Sequence, residues 1–288
     1  MHSLLLALTG CQARTERIVV GSKNFTEQII LGELVAQHIE NRTGLKVERR
    51  LNLGGTLLCH QALRAGEIDV YVEYTGTALT AILKQTPSGS ADDVYRRVKE
   101  AYARQFDLEV GPPFGFNNTF AIVIRGDDAR RLHLTTLSEA AQHTPNWTAG
   151  FGYEFMERPD GFKGLAETYG LRFARPPRIM DLGLIYRALK ERQVDLVAGN
   201  STDGTIAALD LVVLQDDRHY FPPYDAVPIS RRQTLARHPI LGACLRELAG
   251  KISEEEMRRL NYQMDGEHRD VKVVVREFLR AKGLLPSQ

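Results

Sequence analysis

The chain has 288 residues, 43% hydrophobic and 25% charged, with 37 basic against 36 acidic side chains. This is an ordinary globular composition, long enough for about two domains, and it excludes disordered, collagenous and fibrous classes. A net charge of +1 offers no global field to nucleic acid, no run approaches the roughly 20 apolar residues of a membrane span, and 3 cysteines are too few for a disulfide scaffold.

Met1 to Cys11 is short and apolar and ends Leu8-Thr9-Gly10-Cys11. Small residues before a cysteine resemble the lipobox of bacterial lipoproteins. That resemblance implies cleavage before Cys11, a lipid on its sulfur, and a folded part outside the cytoplasmic membrane. Residues 1–16 then form a signal segment and polar tether. Arg17 to Gly21 reads as a β-branched strand. Asn24 offers an N-cap with Glu27 as its capping-box partner. Ile30, Leu31, Leu34, Val35 and Ile39 follow at helical spacing, and Gly44 stops the helix. Lys46 to Leu51 is a strand, Thr56 to Ala65 a helix, and Ile68 to Tyr71 a strand. Ser90 caps a helix with Val94, Val98, Tyr102 and Phe106 on one face. Ala121 to Ile124 is an apolar strand, and Trp147 opens another as a core residue. Ser253 to Glu256 is a capping box, and Val271, Val274, Val275 and Phe278 form a stripe. Alternating strands and helices predict α/β layers with parallel sheet. Cys59 and Cys244, in apolar helical contexts, read as buried thiols whose pairing the sequence leaves open.

One internal echo stands out. Ala62-Leu63 through Asp69 to Gly76-Thr77 resembles Ala188-Leu189 through Asp195 to Gly204-Thr205, with the same spacing from Ala-Leu to Asp. Each copy reads as helix end, strand, Gly/Thr turn and new helix. Two similar lobes follow, each offering a strand-end loop where ligands of open α/β sheets sit, beside helix N-termini with free N–H groups.

Searches for catalysis fail. There is no nucleophile elbow, no H-E-x-x-H, no phosphate loop, and no histidine pair at metal-ligand spacing. The pairs Asp92-Asp93, Asp127-Asp128 and Asp216-Asp217 read as solvated turns or caps. What remains is polar and aromatic residues in turns that follow strands, a pattern that favours a binding cleft over an active site.

Gly21-Ser-Lys-Asn-Phe-Thr-Glu-Gln28, Leu53-Gly-Gly-Thr56, Gly66-Glu-Ile-Asp69, Glu73-Tyr-Thr-Gly-Thr77, Phe116-Asn-Asn-Thr119, Arg158-Pro-Asp-Gly161, Ser201-Thr-Asp-Gly204 and Phe221-Pro-Pro-Tyr224 occur in that order. Together they resemble the substrate-binding lipoproteins of quaternary-amine (glycine betaine, carnitine, choline) ABC transporters, over about Ile18 to Leu285. The resemblance implies a two-lobed, type II periplasmic-binding-protein fold with the ligand cleft between lobes. Lobe one comprises 17–121 and 223–288, lobe two is the inserted 122–222, and the crossings fall near Phe120 and Pro222-Pro223. It implies a monomeric, non-enzymatic receptor without cofactor or metal, anchored by lipid only. Its partners are a small quaternary amine and a membrane permease with a separate ATPase.

A trimethylammonium group has no N–H to donate, so aromatic faces hold it, at about 0.5–2 kcal/mol each. A carboxylate at the far end of the ligand wants Arg, Lys, hydroxyl or backbone donors. By resemblance, Tyr74, Phe120 and Tyr224 are cage walls, and Lys23, Thr77 and Arg158 hold the carboxylate. Asn118 and Asn200 lie near the site, and Thr56 touches the small end of the ligand. Two departures thin the cage: Phe120 replaces a tyrosine common after Asn-Asn-Thr, and Asn200 stands where other members can carry an aromatic ring. The ligand therefore stays open among betaine, choline, carnitine, proline betaine and ergothioneine. The rival readings are an amino-acid binder, an enzyme on the same fold, and a lipoprotein that binds nothing small.

Overall fold

The computed structural model of the protein describes residues 17–86 and 89–285; Cys11 and the expected signal segment lie outside them. The described strands are β1 (Arg17–Lys23), β2 (Lys46–Gly54), β3 (Val70–Tyr74), β4 (Leu108–Val110), β5 (Phe120–Arg125), β6 (Ala149–Phe151), β7 (Arg178–Ile179), β8 (Leu196–Asn200), β9 (Leu211–Leu214) and β10 (Ala226–Arg231). They form two five-stranded sheets, ordered β2-β1-β3-β10-β4 and β7-β6-β8-β5-β9. In the first, β1 runs parallel to β2 and β3, and β10 lies antiparallel to β3 and β4. In the second, β6 is parallel to β7 and β8, and β5 antiparallel to β8 and β9. The two sheets thus share one topology. In each, the antiparallel strand is the first one after the chain crosses from the other half.

The flanking helices used below are α1 (Thr26–Thr43), α2 (Thr56–Ala65), α3 (Ala91–Phe106), α4 (Tyr153–Glu157), α5 (Ile185–Lys190), α6 (Glu254–Asp265) and α7 (Val271–Ala281). The central strand β3 is buried throughout, as a strand covered on both faces must be. Val70, Val72 and Tyr74 join one core cluster with α1 and α7, while Tyr71 joins a second with α2 and α3. In β8, Leu196 and Ala198 face one cluster and Val197 another. Each large aliphatic side chain so buried contributes about 1.5–3 kcal/mol. Cys59 and Cys244 are free, buried thiols in different clusters.

The sequence echo is reproduced in hydrogen bonds. Asp69 donates its N–H to Val19 O at 2.7 Å and accepts Val19 N–H on Oδ2 at 2.9 Å. Asp195 makes the same clasp on Thr148, at 2.7 and 2.9 Å. The preceding helices end alike, with Gly66 (φ 77°) and Arg192 (φ 58°) in the left-handed region. The second copy tolerates there a side chain that the first avoids.

Two crossing segments join the halves. Asn117 and Asp225 form an antiparallel bridge, and Asn118 N–H donates to Tyr224 O at 3.0 Å. Phe120 and Ala121 pair with Asn200 and Gly199 in the second sheet. Gly76, in the turn after β3, is pressed against the second crossing. A Cβ there would meet Pro223 O at 2.6 Å and the Tyr224 ring at 2.7 Å.

The helix start at Ser253 carries the expected capping box, the cap expected at Ser90 forms as a full box with Asp93, and Gly44 ends α1 in the left-handed region at φ 71°. The Asn24–Glu27 box does not form. The N-cap of α1 is Phe25, without a side-chain cap, and the Glu27 carboxylate turns inward to other donors.

Candidate functional site

A cleft of about 590 Å³ opens where the carboxyl ends of β1, β3 and β8 meet the start of β5, α2, α4 and the second crossing. All nine residues singled out from the sequence line it: Lys23, Thr56, Tyr74, Thr77, Asn118, Phe120, Arg158, Asn200 and Tyr224. Phe25, Glu154 and Phe155 line it as well.

Aromatic rings form two groups in the lining. Tyr74 lies near-parallel to Phe25, with centroids 6.4 Å apart. Phe120 meets Phe155 at 4.8 Å, Phe221 at 5.6 Å and Tyr224 at 5.9 Å. Both tyrosine hydroxyls are committed. Tyr74 donates to Glu27 Oε1 at 2.5 Å, and Tyr224 to Asp160 Oδ2 at 2.6 Å. Burial pushes both phenols well above their ordinary range, so they stay neutral donors.

The two cations are held as firmly as the rings. Lys23 is 2% exposed. Its Nζ donates to Glu73 Oε1 at 2.5 Å and to Thr56 Oγ1 at 3.4 Å, and lies 4.6 Å from the Tyr74 ring centre. Arg158 donates Nε and Nη2 to the two oxygens of Asp160, at 2.9 and 2.5 Å, and sits 5.0 Å over Phe120 and 5.9 Å from Tyr224. Burial alone would raise the Asp160 carboxyl; Arg158 outweighs it and holds the group below the usual carboxylate range. Each cation is thus braced by a buried acid and aimed at an aromatic wall. Glu154 supplies a third carboxylate. Its Oε1 accepts the Thr56 N–H at 2.6 Å, at the N-terminus of α2, where backbone donors favour an anion.

The sequence reading missed the acids behind the site. Glu73, Asp160 and Glu27 sat inside quoted motifs, but Glu73 and Glu27 take donors 47 or more residues away, and Asp160 pairs with its near neighbour Arg158 inside a motif that reads as a turn. Phe25 carried a usable signal, an aromatic residue directly beside Lys23-Asn24. Among the described residues no group of His, Cys, Asp or Glu could hold a metal ion, and no helix is long and apolar enough to cross a membrane.

Residues 16–281 match the family described as the substrate binding domain of ABC-type glycine betaine transport systems. The chain belongs to this family. Within it, the carnitine transport binding protein OpuCC of Listeria monocytogenes is 37% identical over 269 residues, covering 92% of this chain and 86% of the relative. The ergothioneine transport permease/ergothioneine binding protein EgtU of Helicobacter pylori is 35% identical over 268 residues, covering 93% of this chain and 48% of that protein. A crystal structure of a glycine betaine/carnitine/choline ABC transporter protein superposes with a TM-score of 0.77 at 35% identity, covering 93% of this chain and 99% of that one. Two sheets flanked by helices around a cleft are the two-lobed architecture of these transport binding proteins.

Proposed function

We propose that this chain is the non-enzymatic, extracytoplasmic capture subunit of an importer for a quaternary ammonium compound. It works as a monomer, tethered through Cys11, and delivers ligand to a permease powered by a separate ATPase. The observation that carries the reading is the convergence of Tyr74, Phe120 and Tyr224, from three distant stretches, on one cleft. Phe25 adds a fourth ring. A methylated ammonium head rests against these faces at about 0.5–2 kcal/mol per ring. Lys23, Thr77 and Arg158 meet the ligand's carboxylate, the braced cations losing little entropy because Glu73 and Asp160 already orient them. Asn118, Asn200 and Thr56 shape the remaining polar rim. Ligand bridging the lobes shifts the population to the closed form, which docks on the permease.

Titration calorimetry with glycine betaine, choline, carnitine and ergothioneine tests this. Binding of at least one at micromolar concentration is expected, and heat from none of them overturns the reading.

A second reading, ergothioneine itself, is favoured by two features. The cleft, at about 590 Å³, falls in the range of about 300–1,000 Å³ that encloses drug-sized ligands, more than glycine betaine fills. Asn200 and Glu154 also supply polar groups in the lining where a ring N–H could be accepted. In the same titration, ergothioneine binding more tightly than betaine selects it.

A further inference from the structure

Glu27 lies in the first turn of α1 and is 2% exposed. Its carboxylate accepts four hydrogen bonds. Oε1 takes Tyr74 Oη at 2.5 Å and Asn118 Nδ2 at 2.8 Å; Oε2 takes Thr202 Oγ1 at 2.5 Å and Asn261 Nδ2 at 3.1 Å. The donors come from four places: the end of β3, the first crossing, the loop after β8, and α6. Tyr74 and Asn118 line the cleft, whereas Thr202 and Asn261 lie outside its lining. Thr202 belongs to the second half of the molecule and is wholly buried. Asn261, from the first half, also donates to Thr202 O at 2.9 Å.

We propose that Glu27 is a positioning residue that ties the cage wall Tyr74 to the second lobe through Thr202, so that ordering the cleft and closing the lobes are one event. One oxygen holds the two cleft residues, and the other holds Thr202 of the second lobe together with Asn261 of the first. A carboxylate suits this place because all four partners can donate and an ionised carboxylate only accepts. An amide would turn an N–H toward at least one of the Asn donors. Burial pushes the Glu27 carboxyl upward, and the four donors pull it back toward the ionised form. The lobe contact is local and dense at this point. A Cβ on Gly204 would meet Tyr262 Cβ at 2.6 Å and Arg258 O at 2.7 Å, so the turn after Thr202 is seated directly on α6. Tyr74 therefore cannot shift its hydroxyl without disturbing the same carboxylate that Thr202 uses.

The inference rests on the quaternary-ammonium reading for its affinity readout but not for its conformational one. Thr202→Val removes only the hydroxyl, and Thr202→Ser keeps it. Thr202→Val is expected to weaken binding of glycine betaine or choline, whichever the wild type takes, by about 10-fold, the usual scale for a hydrogen bond to a charged group. Thr202→Ser should restore most of that loss. Glu27→Gln should weaken binding similarly, and the double variant should lose no more than the worse single one, because both act through one carboxylate. By small-angle X-ray scattering without ligand, Thr202→Val should show a larger radius of gyration than wild type and Thr202→Ser should not. Wild-type affinity and an unchanged radius of gyration in Thr202→Val overturn the proposal, as do additive losses in the double variant. If Glu27→Gln does not fold, the two Thr202 variants decide alone. If the wild type binds neither probe, carnitine or ergothioneine serves for the affinity readout; if it binds none of the four, the ligand class fails, and the ligand-free scattering still decides the role of Glu27.

Discussion

Lys23 and Arg158 show how a charged side chain can be both buried and useful. Removing an ammonium or guanidinium from water costs several kcal/mol unless a partner is present. Glu73 and Asp160 are those partners, at 2.5 Å in each case. The sequence could suggest the two cations, Lys23 at the end of the first strand and Arg158 in its Arg-Pro-Asp-Gly motif, but their acids are invisible as partners. Glu73 is 50 residues from Lys23. Asp160 is only two residues from Arg158, yet Arg-Pro-Asp-Gly reads equally well as a solvated turn. A different acid gives a measurable pH dependence. Asp203 accepts Tyr186 Oη at 2.5 Å and the Asn200 N–H at 2.9 Å, and burial, with Glu27 and Asp265 nearby, pushes its carboxyl up to about 6. The folded value lies above the unfolded one of about 3.9. The native state therefore binds the proton more tightly between those values, and stability falls as pH rises through that window. In thermal melts, the stability of wild type relative to Asp203→Asn should decline from pH 4 to pH 6 and level off above it. A flat difference across that range would remove Asp203 from the titration.

At the level of elements, three helix starts look alike in the sequence: Asn24 with Glu27, Ser90 with Asp93, and Ser253 with Glu256. The latter two are exposed, and local chemistry decides them; both boxes form. The first is buried, and partners 47 to 234 residues away take its carboxylate. Local signals are legible where water is the only competitor. The echo around Asp69 and Asp195 was legible for a related reason, since each copy is a helix end and a strand start adjacent in sequence; the clasps those acids make, on Val19 and Thr148, were not. Two glycines at the cleft separate folding from function. A Cβ on Gly55 would meet Glu154 Oε1 at 2.2 Å, the end of a side chain that can swing away. A Cβ on Gly76 would meet backbone and a buried ring. Gly76→Ala is therefore expected to destabilise by about 1–3 kcal/mol, read as a lowered melting temperature. Gly55→Ala should leave that temperature nearly unchanged while displacing Glu154 from Thr56 and weakening ligand binding. Equal melting temperatures for the two variants would contradict this.

Across the whole molecule, the alternation of strands and helices and the two similar lobes were readable because they rest on periodicity and an internal echo, while the nine candidate site residues rested on the resemblance of their motifs to a known family. The four donors gathered on Glu27 were not, because they stand 47 to 234 residues from it, on both sides of the crossings. The same architecture makes ligand and stability inseparable. A ligand held between lobes binds the folded state and not the unfolded chain. At 100 times its dissociation constant it should add about 2.7 kcal/mol to unfolding. Differential scanning calorimetry should show the melting temperature rising with the logarithm of ligand concentration, and a temperature that stays constant would argue against a cleft ligand.

The placement of β10 has a consequence for how the polypeptide matures. Residues 120–214 contain every strand of the second sheet, so that half can assemble as soon as it has left the ribosome or the secretion channel. The first sheet cannot. Until residues 226–231 arrive, β3 has an unfilled edge and β4 has no neighbour to pair with. The lobe begun first is finished last, and its open edge is the stretch of the nascent chain most in need of protection from stray strand pairing.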